Sequence, residues 1–203
     1  SELGDCYAVI SEVYIDRGIN YNLAIDFNNK ALGIYKKFGN KRGVAFAYKN
    51  FGVIYQRLGN KEKSLLYNKK GLNAYLEIGD KEGISSTYTS LGNFYLKYGS
   101  LKNAIYYGQK ALTLSQKIGA VLEIKYSSQL LYKALKKSGN YVRALEMYDL
   151  YNNTIRKIKN ENNTRALLNQ QYQYEYEKKV TADSIRNAES VNIQNAKIAS
   201  QKA

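Results

Sequence analysis

In residues 90–119, SLGNFYLKYGSLKNAIYYGQKALTLSQKIG, apolar positions recur at helical spacing. Leu91, Phe94, Tyr95 and Tyr98 follow an i, i+3, i+4, i+7 pattern, and Ile105, Tyr107, Ala111, Leu112 and Leu114 form a second stripe. Polar and charged residues fill the intervening positions, so each stripe predicts a helix with one face to cover. Gly99 lies between them, where one helix stops and the next begins. Glycine tolerates the left-handed conformation that closes a helix, and a following Asn, Ser or Asp can cap the next one. Lysines precede several of these stops, as in Lys36-Lys37 and Lys136-Lys137, where they oppose the negative end of the helix dipole.

The pattern is restated along the chain. Gly39, Gly79 and Gly119 lie 40 residues apart, as do Gly59, Gly99 and Gly139. On that frame the units run over 5–40, 42–80, 82–120 and 122–160, the first after allowing one extra residue near Gly18. A fixed period in this range predicts a solenoid, because one helix pair cannot bury its apolar faces alone and stacked pairs can. Ala24, Ser64, Ala104 and Ala144 share one position, and Gly52 and Gly92 share another, marking close helix contact. In the last unit Tyr132 replaces the packing glycine and Tyr151 the small alanine, so that unit is expected to pack differently.

The motif L-G-x-x-Y, then G-N or G-D, then A-x-x-x-x-x-x-A-L resembles the tetratricopeptide repeat. It is carried by Leu91-Gly92-Asn93-Phe94-Tyr95, Gly99-Ser100, Ala104 and Ala111-Leu112. The preceding unit carries it as Phe51-Gly52, Tyr55, Gly59-Asn60, Ser64 and Gly71-Leu72. The period is 40 rather than the family's common 34, and the family's proline is missing, which longer helices would absorb. The late aromatic of the second helix is displaced by one residue to Phe27, Tyr67 and Tyr107. The resemblance implies an all-α, right-handed α-α superhelix of four helix-turn-helix repeats occupying 1–160.

After Asn160 the composition shifts, and 161–203 lacks glycine. Leu167, Leu168, Tyr172, Tyr176 and Val180 offer a stripe suited to capping the last repeat. Ile185, Ala188, Val191, Ile193 and Ile198 suggest a weak coiled-coil seam, with a frayed tail after residue 185 as the alternative. The connector Gly79-Asp80-Lys81-Glu82-Gly83 and the run Tyr174-Glu175-Tyr176-Glu177-Lys178-Lys179 resemble the sensor regions of multidomain bacterial signalling proteins. In those, repeats run into a coiled-coil or membrane-spanning helix and then a histidine kinase, nucleotide cyclase or DNA-binding output. The resemblance therefore implies an output domain in the full-length chain and tilts towards the periplasmic side of a membrane over the cytoplasm. The chain opens at Ser1 without a signal-like segment, and we read it as processed or as a piece of something longer.

Composition narrows the chemistry. Proline is absent, which favours uninterrupted helices, and no apolar run reaches membrane-spanning length. There is no histidine, so the commonest general base and metal ligand is missing, and the single Cys6 makes neither a zinc cluster nor an internal disulfide. No phosphate-binding G-x-x-x-x-G-K-[ST] occurs. Asp16, Asp26, Asp80 and Glu82 are read as capping or connector residues. The 21 tyrosines are read mainly as packing, since Tyr55, Tyr67, Tyr95 and Tyr107 fall on repeat-core positions. The net charge of +14 is spread along the chain, as on a solvated lysine-rich surface, with attraction to an anionic partner the competing reading. These observations point to a non-catalytic protein with no metal or small-molecule cofactor.

In tetratricopeptide arrays the first helix of each repeat lines a concave groove. The resemblance then implies groove positions at Phe46, Lys49, Val53, Gln56 and Arg57, at Ser86, Thr89, Asn93, Leu96 and Lys97, and at Tyr126, Gln129, Lys133, Lys136 and Lys137. This set holds six basic side chains and no acidic one, which suits a protein or peptide with an acidic segment or a free C-terminal carboxylate. The competing reading is that these lysines solvate an open surface. The function expected is protein or peptide binding, as the sensory region of a bacterial signal-transduction protein whose groove curvature moves the last helix. A free-standing scaffold for complex assembly is the second reading. Nucleic-acid binding through the basic face is the third, with no base-reading motif behind it, and a homodimer through the C-terminal helix is a further partner expectation.

Overall fold

The structure, a computed structural model, describes residues 2–201, with side chains described through residue 181 and at 183, 184 and 187. The described residues form α1 (Glu2–Arg17), α2 (Tyr21–Lys37), α3 (Lys41–Arg57), α4 (Lys61–Ile78), α5 (Lys81–Lys97), α6 (Leu101–Ile118), α7 (Val121–Lys137) and α8 (Tyr141–Gln201). No strand occurs among them. The chain divides into two compact units, Ser1–Ile155 and Arg156–Ala203.

The turns of the first unit show why the glycines are periodic. Gly39, Gly59, Gly79, Gly99, Gly119 and Gly139 all have φ between 65° and 90°, where a side chain is strained. At Gly39 the chain closes α2 with Asn40 N–H donating to Tyr35 O at 2.8 Å and Gly39 N–H donating to Lys36 O at 3.2 Å, a Schellman pair. Asn40 then opens α3, its side chain accepting from Gly43 N at 2.9 Å. Asn60 and Asp80 repeat this arrangement, accepting from Lys63 N and Gly83 N. One residue thus ends a helix and starts the next. Ser100 and Ala120 occupy the same place without a side-chain cap.

Packing follows the repeat. α1 lies against α2, α3 against α4, α5 against α6, and the first helices α1, α3, α5 and α7 also touch in series. Ala24, Ser64, Ala104 and Ala144 are buried, as their size predicts. Ser64 donates its hydroxyl to Gly52 O at 2.8 Å, tying α4 to α3. Each of the first three hairpins stacks an aromatic ring across its two helices at the same repeat position: Tyr14–Phe27 at 5.9 Å, Tyr55–Tyr67 at 5.5 Å and Tyr95–Tyr107 at 5.4 Å between centroids. These tyrosines are therefore packing residues.

The last hairpin differs, as Tyr132 and Tyr151 predict. A Cβ on Gly52 would meet the Asn68 side chain at 2.6 Å, and one on Gly92 would meet Leu130 Cδ2 at 2.3 Å. In the fourth repeat the positions of Gly52 and Asn68 become Tyr132 and Tyr148, whose rings sit 5.0 Å apart. Tyr151 accepts a hydrogen bond from Gln129 Nε2 at 3.1 Å.

In the second unit the backbone is helical to Gln201. Lys157 and Glu161 pair at 4.0 Å across one turn, an exposed contact worth little. Leu167, Leu168, Tyr172, Tyr176 and Val180, the stripe expected to cap the last repeat, are all exposed. Four of the five step by four residues, so at 100° per residue the stripe winds around the helix instead of presenting one flat face. The seam residues Ile185, Ala188, Val191, Ile193 and Ile198 lie outside the described side chains. Among the described residues no helix is long and apolar enough to cross a membrane.

Candidate binding groove

The serial contact of α1, α3, α5 and α7 leaves one face of each first helix uncovered, and these faces line two cavities. The first, of 420 Å³, includes Phe46, Lys49, Val53, Ser86 and Tyr126; the second, of 630 Å³, includes Gln56, Arg57, Thr89, Asn93, Leu96, Lys97, Gln129 and Lys133. Asp16, Val53, Ser86, Ser90, Glu123 and Tyr126 line both, so the two are one continuous groove. The residues expected from repeat position are thus brought together, with two exceptions. Lys136 and Lys137 do not line it. Lys136 is turned onto Tyr132, its ammonium 5.7 Å from the ring centroid, and Lys137 is exposed at the end of the last first helix.

The groove also holds acidic residues, which corrects the expectation of a purely basic lining. Glu12 and Asp16 enter from α1, at the positions equivalent to Val53 and Arg57 once the extra residue near Gly18 is counted. Asp16 sits near the C-terminal end of α1, where it cannot cap, and lines the groove instead. Glu82 lines it from the first turn of α5, while Asp80 keeps the capping role expected of it.

Glu123 is the acid that sequence reasoning missed altogether. Its equivalents are Gly43 and Gly83, and both lie against a tyrosine ring: an added Cβ would meet Tyr35 at 2.4 Å and Tyr75 at 2.2 Å. In the next repeat the tyrosine position is Ser115. The small serine, buried and donating to Leu112 O at 3.0 Å, leaves room for a side chain at 123. The signal was there as a paired exchange, Tyr with Gly against Ser with Glu, 40 residues apart.

The electrostatics follow from burial. Glu123 is 8% exposed, and no cation lies within ion-pair distance of its carboxylate among the described residues. Burial pushes its pKa up to about 7, opposed by Lys49 and reinforced by Glu82. Lys49 lies 3.9 Å from Glu12 and 4.5 Å from the centroid of the Phe46 ring. Burial lowers its pKa, against the pull of Glu12, Glu123 and Asp16, and burial likewise raises that of Glu12. Arg42 at the rim binds Asp80 at 2.7 Å and Glu82 at 3.5 Å. Asn50, 2% exposed on the groove floor, has an Nδ2 with no hydrogen-bond partner.

At the other end Lys97 donates to the carbonyl of Gln56, while Arg57 and Lys133 are in no ion pair among the described residues. The lining therefore carries Glu12, Asp16, Glu82 and Glu123 against Arg42, Lys49, Arg57, Lys97 and Lys133. That is close to balance in a chain of net charge +14, so the excess positive charge lies elsewhere. Part of it sits on the second helices, where Lys30, Lys70 and Lys110 each lean over an aromatic pair at 4.6 to 5.9 Å from the ring centroids.

No protein-family model and no curated protein sequence matches the chain. Solved structures do match its fold. A Rap protein complexed with Competence and Sporulation Factor superposes with a TM-score of 0.72 at 19% identity, over 79% of this chain and 44% of that one. Aspartyl phosphate phosphatase F from Bacillus subtilis gives 0.69 at 16% identity, over 78% and 41%. A signal-transduction ATPase with numerous domains and a tetratricopeptide repeat sensor, from Pyrococcus horikoshii, gives 0.61 at 22% identity, over 79% and 25%. The chain spans less than half the length of each of these three. At these identities the likeness is one of fold, and the fold is the all-α helical repeat of the tetratricopeptide type.

Proposed function

We propose that this chain is a non-catalytic module that binds a peptide, or an extended segment of a protein, along the groove of α1, α3, α5 and α7. The observation that carries this reading is the continuity of the groove. Its two cavities share six residues, and they hold the buried Nδ2 of Asn50, which has no hydrogen-bond partner, and Glu123, 8% exposed with no cation at ion-pair distance among the described residues. Buried polar groups without partners are costly, and an extended peptide supplies both donors and acceptors. One of the fold neighbours is a complex with a factor, and another carries its repeats as a sensor, which supports the same reading. We place the chain as the sensory part of a signalling protein on the same grounds. α7 and the start of α8 form one hairpin through the Tyr132–Tyr148 ring pair and the Gln129–Tyr151 hydrogen bond, so a ligand that displaces α7 acts on that hairpin.

The test is a random octapeptide library panned against the 203-residue chain, with the selected peptides measured by fluorescence anisotropy. Ser86→Arg, which places a long side chain where both cavities meet, is expected to abolish binding. Undiminished binding to Ser86→Arg would place the ligand elsewhere and remove the groove reading.

A further inference from the structure

The sequence directs attention to the basic groove residues and to a ligand rich in carboxylates. The structure points the other way for half the groove. Four carboxylates line the first cavity, and two of them, Asp16 and Glu123, also reach the second. Arg42 is committed to Asp80 and Glu82, and Lys49 lies nearest Glu12. Asp16 and Glu123 are left with no cation within ion-pair distance among the described residues. Tyr126, 42% exposed, lines the same stretch of groove, its ring already met by the ammonium of Lys125 at 4.6 Å from the centroid.

Acidic residues that merely crowd together do not make a site. Here two further observations do. Glu123 is more than nine-tenths buried in a position that the Ser115 exchange opens for it, and its carboxylate is unpaired. Asn50, from a different helix and more deeply buried, offers an Nδ2 with nothing to donate to. A ligand that satisfies both must carry a cation and, close by, a hydrogen-bond acceptor. A peptide chain does so wherever a free α-amine or a lysine or arginine side chain stands next to a backbone carbonyl.

Resting on the peptide-binding reading above, we infer that the groove is a bipolar clamp. A positively charged group of the bound peptide sits between Asp16 and Glu123, with a backbone carbonyl on Asn50. The chain then runs towards Arg57 and Lys133, which take a carboxylate. The polarity fixes the direction in which the peptide lies, since reversing it sets like charges against each other at both ends.

The experiment is a positional-scanning octapeptide library presented to the full 203-residue chain in two forms, with free and with acetylated N-termini. The expected result is selection of lysine or arginine at one fixed position in both forms, or binding by the free form alone. The first outcome identifies a side chain as the cation, the second the α-amine. Asp16→Asn and Glu123→Gln are each expected to weaken the selected peptides at least about tenfold, as truncating one member of a desolvated charge pair does. Asp16 is exposed, so its variant keeps the fold intact. Peptides that bind without a positive group at a fixed position would overturn the clamp and leave the groove reading standing. So would unchanged affinity in both variants. Failure to bind any peptide would remove both.

Discussion

Two junctions between neighbouring repeats use the same backbone positions and fill them in opposite ways. Between the second and third repeats the Tyr75 ring, 4% exposed, lies over Gly83 and seals the space. Between the third and fourth, Ser115 and Glu123 stand in those places, and the volume given up by the ring is taken by a buried carboxyl facing the groove. The lesson is that a repeat can exchange packing for chemistry without altering its helices. It does so by moving one large side chain across a contact.

The comparison breaks most severely at Gly83. Gly83→Ala puts a Cβ 2.2 Å from a buried ring atom, so the variant is expected to lose about 3 kcal/mol of stability in urea denaturation. In a Tyr75→Ser background, which copies the other junction, the same change should cost less than about 1 kcal/mol. Equal costs in the two backgrounds would show that the ring is not what excludes the side chain.

A somewhat smaller effect separates the junctions by pH. The folded-state pKa of Glu123 is raised to about 7, above its ordinary 4.5, so its favourable contribution is present at pH 4.5 and below and is lost as pH rises through about 7. Glu12 and Asp16 from α1, Lys49 and Arg42 from α3, and Glu82 from α5 share the groove with it, and Glu12 is raised in the same sense. Stability is therefore expected to fall by on the order of 2 kcal/mol between pH 4.5 and pH 8. Glu123→Gln should flatten most of that slope and exceed the parent chain at pH 8. A slope unchanged in the variant would assign the titration to another group.

How far the sequence reveals such a molecule depends on which side chain carries the information. The glycine period locates six of the seven turns of the first unit, because φ near 65° to 90° is open to little else, and the turn at Gly18 falls one residue off it. Repeat position likewise finds the groove through Val53, Ser86 and Lys97, whose equivalents recur. It fails at Glu12 and Asp16, since the extra residue near Gly18 shifts α1 out of register. It fails at Glu123 because glycine at 43 and 83 marks the position as structural. Winding of the apolar stripe after residue 161 hides its exposure from any count of hydrophobic residues.

Two finer contrasts remain. Tyr132 and Tyr148 replace a small-residue contact with a ring pair, so either change to alanine should cost about 1 kcal/mol. The double variant should fall short of the sum by about 0.5 kcal/mol or more, as coupled neighbours do in a thermal-unfolding cycle. Arg42, largely exposed, joins two repeats through Asp80 and Glu82, and Arg42→Ala should cost about 0.5 kcal/mol or less. A larger loss would make the rim pair a true clasp between repeats.

The turns, finally, have a mechanical meaning. At Asn40, Asn60 and Asp80 the residue that finishes one helix also begins the next, so these joints hold no spare length. A force or a wedge applied to the groove has no loop to stretch. It must be taken up as small rotations at the contacts between helices, shared along the series. Such an object deforms like a coiled spring, whose stiffness is set by side-chain volumes at its contacts and whose ends feel a load placed anywhere along it.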